Sequence, residues 1–426
     1  MSEAWDSMAL RATKVVIAPI LGLFVAVSAA ETAGAADRDA ARAAYPVVQD
    51  ARLGGDEKQT RFIADISQKV ELRAFTLADP YRVVVDMPQV TFRLPPKAGE
   101  TGRGLVKAYR YGLIMQGGSR IVLDLAGPAR IEKAFVLDAV EGQPARIVLD
   151  LVATDRESFL HTLSEVKAAK PPEAARKPDP PKPEAAIKAD PRPVIVLDPG
   201  HGGIDYGTRA PSGESEKSLV LDFALLLRAQ LEKTGKYRVV MTRADDTFVP
   251  LAERVQIART HQAALFISIH ADALKKSDGE ATGATIYTLS DTASDAEAAH
   301  LAEAENRADV IAGIDLSSEP SDVANILIDF AQRETKTFSL HFAKTLASEL
   351  KSVARLHKHP LKSAGFKVLK APDVPSVLIE LGYVSNQQDL KQLTSGAWRT
   401  RTVATTVAAI DKFFATRLAG TSGGAN

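Results

Sequence analysis

The chain has 426 residues, with 53 Lys and Arg against 53 Asp and Glu, so its formal net charge is zero. That balance excludes the global electrostatic footprint of a nucleic-acid binder, and the length allows two or three domains of ordinary globular composition. No cysteine is present, which excludes disulfides, thiolate metal sites and a cysteine nucleophile.

Residues 1–36 read as a secretory signal peptide. Arg11 and Lys14 form a short basic region, the apolar run from Val15 to Ala30 is broken by Pro19 and Gly22, and small residues follow at 33–36. The run is shorter than the ~20 residues that a membrane span needs. Cleavage near Ala30 or Ala36 is expected to leave a protein outside the cytoplasm, in the periplasm, with no membrane attachment.

Residues 45–153 alternate apolar and polar side chains over 60–66, 82–87, 120–125 and 146–151, the period of half-buried strands. An internal repeat runs through them. Thr-Arg-Phe-Ile-Ala-Asp-Ile (60–66) matches Ser-Arg-Ile-Val-Leu-Asp-Leu (119–125), and Arg-Val-Val-Val-Asp-Met (82–87) matches Arg-Ile-Val-Leu-Asp-Leu (146–151). Ala-Phe-Thr-Leu-Ala-Asp (74–79) matches Ala-Phe-Val-Leu-Asp-Ala (134–139). Two similar halves predict an all-β sandwich of two packed sheets. Arg61, Arg82, Arg120 and Arg146 open these strands beside Asp65, Asp86, Asp124 and Asp150. Charge pairing between strands is the simpler reading; a surface for an anionic polymer is the functional one.

Residues 165–193 hold eight prolines among Lys, Glu and Ala and read as an extended, semi-rigid linker. From 194 to 416 strand and helix patterns alternate. Strands are predicted at 194–198, 237–242, 264–269, 284–288, 366–369 and 376–380, and helices at 217–233, 250–262, 322–352 and 397–417. The fold class is α/β, with a mainly parallel or mixed twisted sheet covered by helices. Ligands of such sheets gather at the carboxyl ends of the strands.

Four polar residues fall at those ends. His201 closes Val-Ile-Val-Leu-Asp-Pro-Gly-His (194–201), His270 closes Leu-Phe-Ile-Ser-Ile-His (265–270), Glu380 closes Ser-Val-Leu-Ile-Glu (376–380), and Glu216 opens a helix. Each has an ordinary explanation alone: a turn, a buried core histidine, or a carboxylate favoured by the helix dipole. Glu380 resists one, because an unpaired carboxylate in a buried strand is costly. Together, two imidazoles and a carboxylate are the ligand set of a catalytic zinc with one position left for water. A fourth carboxylate beside it would serve as the base. Residue types and spacing thus predict a zinc amidase or peptidase. Asp272 reads equally as a residue that orients a ligand or as a strand-end cap, and His357 and His359 read as solvent-facing loop residues.

The run Leu-Asp-Pro-Gly-His-Gly-Gly (197–203), with Glu-Lys (216–217), Ser-Ile-His-Ala-Asp-Ala (268–273), Val-Leu-Lys-Ala-Pro-Asp-Val-Pro-Ser-Val-Leu-Ile-Glu (368–380) and Val-Ser-Asn (384–386), resembles the zinc-dependent N-acetylmuramoyl-L-alanine amidases of type 3. The resemblance covers nearly all of 194–416. It implies Zn2+ held by His201, Glu216 and His270, with Glu380 catalytic. It also implies peptidoglycan as substrate, cut between N-acetylmuramic acid and the L-alanine of the stem peptide. The β region resembles the AMIN domain that precedes such catalytic domains, which implies peptidoglycan binding and recruitment to the division site.

Between the strand at 284–288 and the long helix after Ser321 lies an extra segment. Ser294-Asp-Ala-Glu297 is a capping-box pattern, the run 295–310 is rich in Ala and Glu, and Gly313 ends it. By composition it is a surface helix. The resemblance to septal amidases implies instead that residues 290–330 occlude the zinc until an activator with a degenerate LytM-type peptidase domain binds. Glu305, or else Glu303, is then expected in the open metal position. Two other functions fit the residues less well: a zinc carboxypeptidase acting within the stem peptide, and a non-catalytic peptidoglycan-binding protein of the division machinery.

Overall fold

A computed structural model describes residues 45–168, 190–273, 282–314 and 326–422. The signal-peptide expectation, most of the proline-rich linker and residues 315–325 of the extra segment lie outside the described residues. Among the described residues no helix is long and apolar enough to cross a membrane.

The first part is a β sandwich. Strands β1 (Val47–Gly55), β2 (Gln59–Ile66), β3 (Arg73–Leu77), β4 (Arg82–Pro88), β5 (Thr91–Phe92), β6 (Val106–Met115), β7 (Gly118–Leu125), β8 (Ala129–Leu137) and β9 (Ala145–Ala153) precede helix α1 (Arg156–Ala168). They form two sheets in the orders β5-β1-β2-β9-β8 and β3-β4-β7-β6. The internal repeat explains this pairing. β2 and β7 are repeat mates, as are β4 and β9, and the ladders β2·β9 and β4·β7 each join one strand from either half. Phe62, Ile66, Val83, Val85, Ile121, Leu123, Ile147 and Leu149 fill the space between the sheets.

The predicted charge pairs exist in both ladders. Arg61 Nη2 donates to Asp150 at 2.8 Å and Arg120 Nε donates to Asp86 at 2.6 Å. A surface for an anionic polymer does not fit Arg82 and Arg120, which are both buried. The reason is that the β3-β4-β7-β6 sheet is covered on both faces: Val83 and Val85 face the sandwich interior, whereas Val84 and Val122 enter a second core shared with the C-terminal half.

That half contains β10 (Val194–Pro199), α2 (Glu216–Lys233), β11 (Arg238–Met241), α3 (Leu251–Thr260), β12 (Leu265–His270), β13 (Ala284–Leu289), α4 (Ala296–Glu305), α5 (Ala308–Ile311), α6 (Ile326–Leu350), β14 (Leu356–Ala364), β15 (Ser376–Glu380), α7 (Gln387–Leu393) and α8 (Gly396–Ser422). The sheet order is β11-β10-β12-β15-β13-β14. All neighbours are parallel except β13 and β15, so the sheet is mixed. β10, β12 and β15 are buried along their whole length, which is why they read as unbroken apolar runs. One face packs on α2, α6 and α8 through Phe223, Leu227, Phe342, Leu346, Ile410 and Phe413. The other is covered by α3, the α4–α5 segment and the β domain, with Phe248, Phe266, Tyr287 and Phe366 at its centre.

Three expectations are corrected. The strand expected at 366–369 is a 3-10 turn, Lys367–Leu369. The edge strand is β14 instead, so His357 is not a solvent-facing loop residue: it is buried, with Nε2 3.7 Å from Glu297. The cap of α4 is Asp295 rather than Ser294; its carboxylate accepts from the Ala298 amide at 2.8 Å.

Candidate metal centre

The parallel register of β12 and β15 sets His270 directly beside Glu380 at the carboxyl end of the sheet. His201 follows β10, next in the sheet. It arrives there through a tight turn in which His201, Gly202 and Gly203 all have positive φ, at 59°, 124° and 54°. A non-glycine residue in that region is strained, and such strain concentrates at functional sites. Glu216 opens α2 and is fully buried. Its carboxylate accepts from the Ala271 amide at 2.9 Å through Oε1 and from the Thr208 amide at 2.9 Å through Oε2. Gly207, at φ 60°, passes so close that a Cβ there would lie 2.6 Å from both Glu216 Oε2 and His201 Cδ2.

The ligand-type atoms of His201, Glu216 and His270 lie within 4.8 Å of one another. His201 Nε2 is 3.1 Å and His270 Nδ1 3.3 Å from Glu216 Oε1. Both nitrogens are buried without a hydrogen-bond partner. His201 Nδ1 is 2.9 Å from Asp205 Oδ2, which holds the proton on Nδ1 and turns the Nε2 lone pair toward the carboxylate. Lone pairs facing carboxylate oxygens at these distances repel unless a positive charge lies between them. The charge balance agrees. Burial alone would lower the His201 pKa, but Glu216, Asp205 and Glu305 outweigh it and push it well up. Burial would raise Glu216, yet the two imidazoles hold it well below the ordinary carboxylate range. A cation therefore fits this donor set.

Asp205 is the residue that sequence reasoning missed. Its signal was available: a carboxylate four positions after His201 across a glycine turn. Asp272 does not bond a ligand directly. Its carboxylate accepts from the Thr208 hydroxyl, fixing the loop whose amide bonds Glu216, and its own amide donates to Glu380 Oε2 at 3.0 Å. Burial, with Glu216 and Glu305 nearby, pushes Asp272 up to about 7. Glu380 Oε1 is buried and without a partner. Burial and the charges of Glu216, Asp272 and Glu305 push its pKa well above the ordinary range.

Glu305, at the last turn of α4, also reaches the site. Its Oε2 lies 3.1 Å from His270 Nδ1 and 3.8 Å from His201 Nε2. Glu303 is exposed. A buried network supports the floor. Asp198 accepts from Arg254 at 2.8 Å, Ser268 at 2.6 Å and Thr242 at 2.6 Å, and Arg254 donates to the His201 carbonyl at 2.7 Å.

Residues 195–412 match the N-acetylmuramoyl-L-alanine amidase family, and residues 50–151 match the AMIN domain. The chain is 32% identical to N-acetylmuramoyl-L-alanine amidase AmiC of Escherichia coli O6:H1, over 88% of this chain and 91% of that one. It is 32% identical to AmiC of Neisseria meningitidis serogroup B, over 87% and 91% of the two chains. The solved catalytic domain of CwlV, an N-acetylmuramoyl-L-alanine amidase of Bacillus (Paenibacillus) polymyxa, is 24% identical with a TM-score of 0.38, covering 52% of this chain and 98% of that one. On the strength of its match through 195–412 and its near full-length relatives, the chain belongs to the N-acetylmuramoyl-L-alanine amidase family.

Proposed function

We infer that the protein hydrolyses the amide bond between N-acetylmuramic acid and the L-alanine of the peptidoglycan stem peptide, using zinc held by His201, Glu216 and His270. The observation that carries this reading is the pair of buried, unpartnered imidazole nitrogens around Glu216, next to the unpartnered Oε1 of Glu380. Bound zinc would polarise the substrate carbonyl and lower the pKa of a water to roughly 7. Glu380 takes the proton of the attacking water on Oε1 while its Oε2 is held by the Asp272 amide. Water oxygen adds to the amide carbon, the C–N bond breaks, and Glu380 returns the proton to the leaving nitrogen, giving a carboxylic acid and a free amino terminus. The unpartnered Oε1 leaves an oxygen available for both halves of that transfer. Asp205 holds His201 in the tautomer that offers Nε2.

The α4–α5 segment acts as a plug, with Glu305 in the position that substrate or water would need; the 3.1 Å approach to His270 supports this. Release then requires a partner, and an activator with a degenerate LytM-type domain suits the resemblance to septal amidases. The export signal read at 1–36 supports a periplasmic site of action, and the AMIN region supports delivery to the dividing wall for daughter-cell separation.

The test is mass spectrometry of the products from purified sacculi treated with the zinc-loaded full chain carrying Glu305→Gln, beside Glu305→Gln/Glu380→Ala. Intact stem peptides with a free L-alanine amino terminus, released by the first protein alone, are expected. Shortened stems would mean a carboxypeptidase. No release from a folded, zinc-loaded protein would mean a binding role.

A further inference from the structure

The α4–α5 segment is gripped at its far end by the β domain. Arg82 of β4 donates to the Val310 carbonyl. Arg110 of β6 donates to the Ile311 carbonyl at 3.3 Å. Arg120 of β7 donates through Nη1 to the carbonyls of Ala312 and Gly313, both at 2.9 Å. These four consecutive carbonyls close α5, the end at which cations are favoured; that of Val310 also accepts from the Gly313 amide at 3.0 Å. Arg120 is held for the task from behind, since its Nε and Nη2 donate to Asp86 at 2.6 and 2.9 Å. Arg110 is held by a single bond from its Nη2 to Asp124.

Apolar packing completes the seat. Gly313, at φ 69°, lies against the β sheet so closely that a Cβ there would be 3.0 Å from Val84 and 3.1 Å from Val122. Leu77, Val84, Ile114 and Val122 of the β domain share one core with Ala298, Leu301, Ala302, Ala308 and Ala312 of the segment. Asn306 and Arg307 alone separate α4 from α5, so the gripped carbonyls begin five residues beyond Glu305. The opposite end of α4 is held by the catalytic domain: Lys362 Nζ lies 2.9 Å from Glu297 and 3.2 Å from Asp295.

We propose that the outer face of the β3-β4-β7-β6 sheet is an interaction surface whose occupant is this chain's own residues 308–314, and that the AMIN-like domain is an intramolecular inhibitor that keeps Glu305 on the metal centre. This rests on the reading of α4 as a plug. The three arginines are spent on main-chain carbonyls of the segment, so undocking the β domain removes the hold on its C-terminal end. A ligand that draws the β domain away and a partner that extracts α4 then act on one equilibrium, each helping the other.

The test uses the full chain, zinc-loaded, in four forms: unaltered, Glu305→Gln, Arg82→Gln/Arg120→Gln, and Arg82→Lys/Arg120→Lys. Two quantities are read: stem-peptide release from sacculi, and amide hydrogen exchange over 296–314. The double Gln variant is expected to release peptide roughly tenfold faster than the unaltered chain and to exchange faster over 296–314. The Lys pair keeps both charges, and at position 120 the charge beside Asp86, but lacks the forked donors, and is expected to shift both readouts in the same direction by less. It decides the matter if the Gln pair fails to fold. Faster release by Glu305→Gln, with both quantities unchanged in the arginine variants, overturns the inhibitor role and leaves the plug standing. If Glu305→Gln changes nothing, the plug reading fails and the inhibitor role with it; exchange over 296–314 then tells whether the grip itself is real.

Discussion

Glu305 Oε2 sits 3.1 Å from His270 Nδ1, and the same nitrogen is 3.3 Å from Glu216 Oε1. Two buried carboxylates on different elements therefore converge on one imidazole. Burial and the charges of Glu216 and Asp205 raise the Glu305 pKa, while the two histidines oppose the rise. Such a group is comfortable only beside a cation or a protonated imidazole. If α4 is the plug proposed above, it is linked to the metal centre, and linkage is reciprocal: whatever loads the centre with a cation would also favour α4 in its seat.

Glu305→Gln should move two measurements in opposite directions. Stem-peptide release from sacculi should rise, because a neutral amide holds a cation weakly. Zinc affinity, measured by competition with a chromophoric chelator, should fall several-fold as one anionic oxygen is lost from the site. A rise in release with unchanged affinity would mean that Glu305 blocks substrate without touching the metal.

Asp205 is placed to act on a bound metal through His201, whose Nδ1 it accepts from. With Asp205→Ala the imidazole loses the acceptor at Nδ1, and both tautomer and ring orientation become free. Zinc affinity should drop roughly 10–100-fold. Asp205→Asn should recover part of it, because the amide oxygen can still accept. Affinity that stays constant in both variants would reduce Asp205 to a support of the turn, through its bond from the Gly207 amide.

The four central residues were legible because each closes an apolar strand or opens a helix, where periodicity is strong and the sheet rule places ligands. Other parts depend on partners far away in sequence. β14 does not read as a strand, because Leu-His-Lys-His-Pro-Leu-Lys-Ser-Ala carries Pro360 and little apolar alternation; among the described residues it pairs with β13 alone, at the sheet edge, where a proline is tolerated. Phe366 to Leu369 is apolar enough for a strand, but it turns under α3 and fills the core beside Tyr287. Arg120 and Asp86 each stand out in the Arg–Asp pattern of their own strands, 34 residues apart. The second partners of Arg120, Ala312 and Gly313, are 192 and 193 residues away and leave no local trace.

Glu380 can be separated from the proposed ligands by substitution. Glu380→Gln keeps the acceptor for the Asp272 amide and removes the proton-carrying oxygen. Zinc content, read by elemental analysis of the purified protein, should be unchanged. Stem-peptide release in the Glu305→Gln background should fall by about 10²-fold or more, the scale of a lost general base. Glu216→Gln should instead lose zinc, since that oxygen faces both imidazoles. If both variants lost zinc equally, Glu380 would belong among the ligands.

Asp198 and Arg254 tie acid stability to the floor of the site. Burial alone would raise the Asp198 pKa, but Arg254, with the hydroxyls of Ser268 and Thr242, outweighs it and holds it below the ordinary value. An aspartate in the unfolded chain titrates near about 3.9. The folded value lies lower, so the charged form contributes stability that is complete above the unfolded value and is lost as pH falls through the folded one. Asp198→Asn leaves Arg254 buried without its anion, a change that costs on the order of 3–5 kcal/mol. At neutral pH the melting temperature should fall by roughly 10 °C. The gap between the variant and the unaltered chain should narrow only below about pH 4, because there the unaltered chain begins to lose the same charge. Melting curves recorded from pH 7 to pH 3 decide it: a gap of constant size would assign the loss to hydrogen-bond geometry around Thr242 and Ser268 rather than to the ion pair.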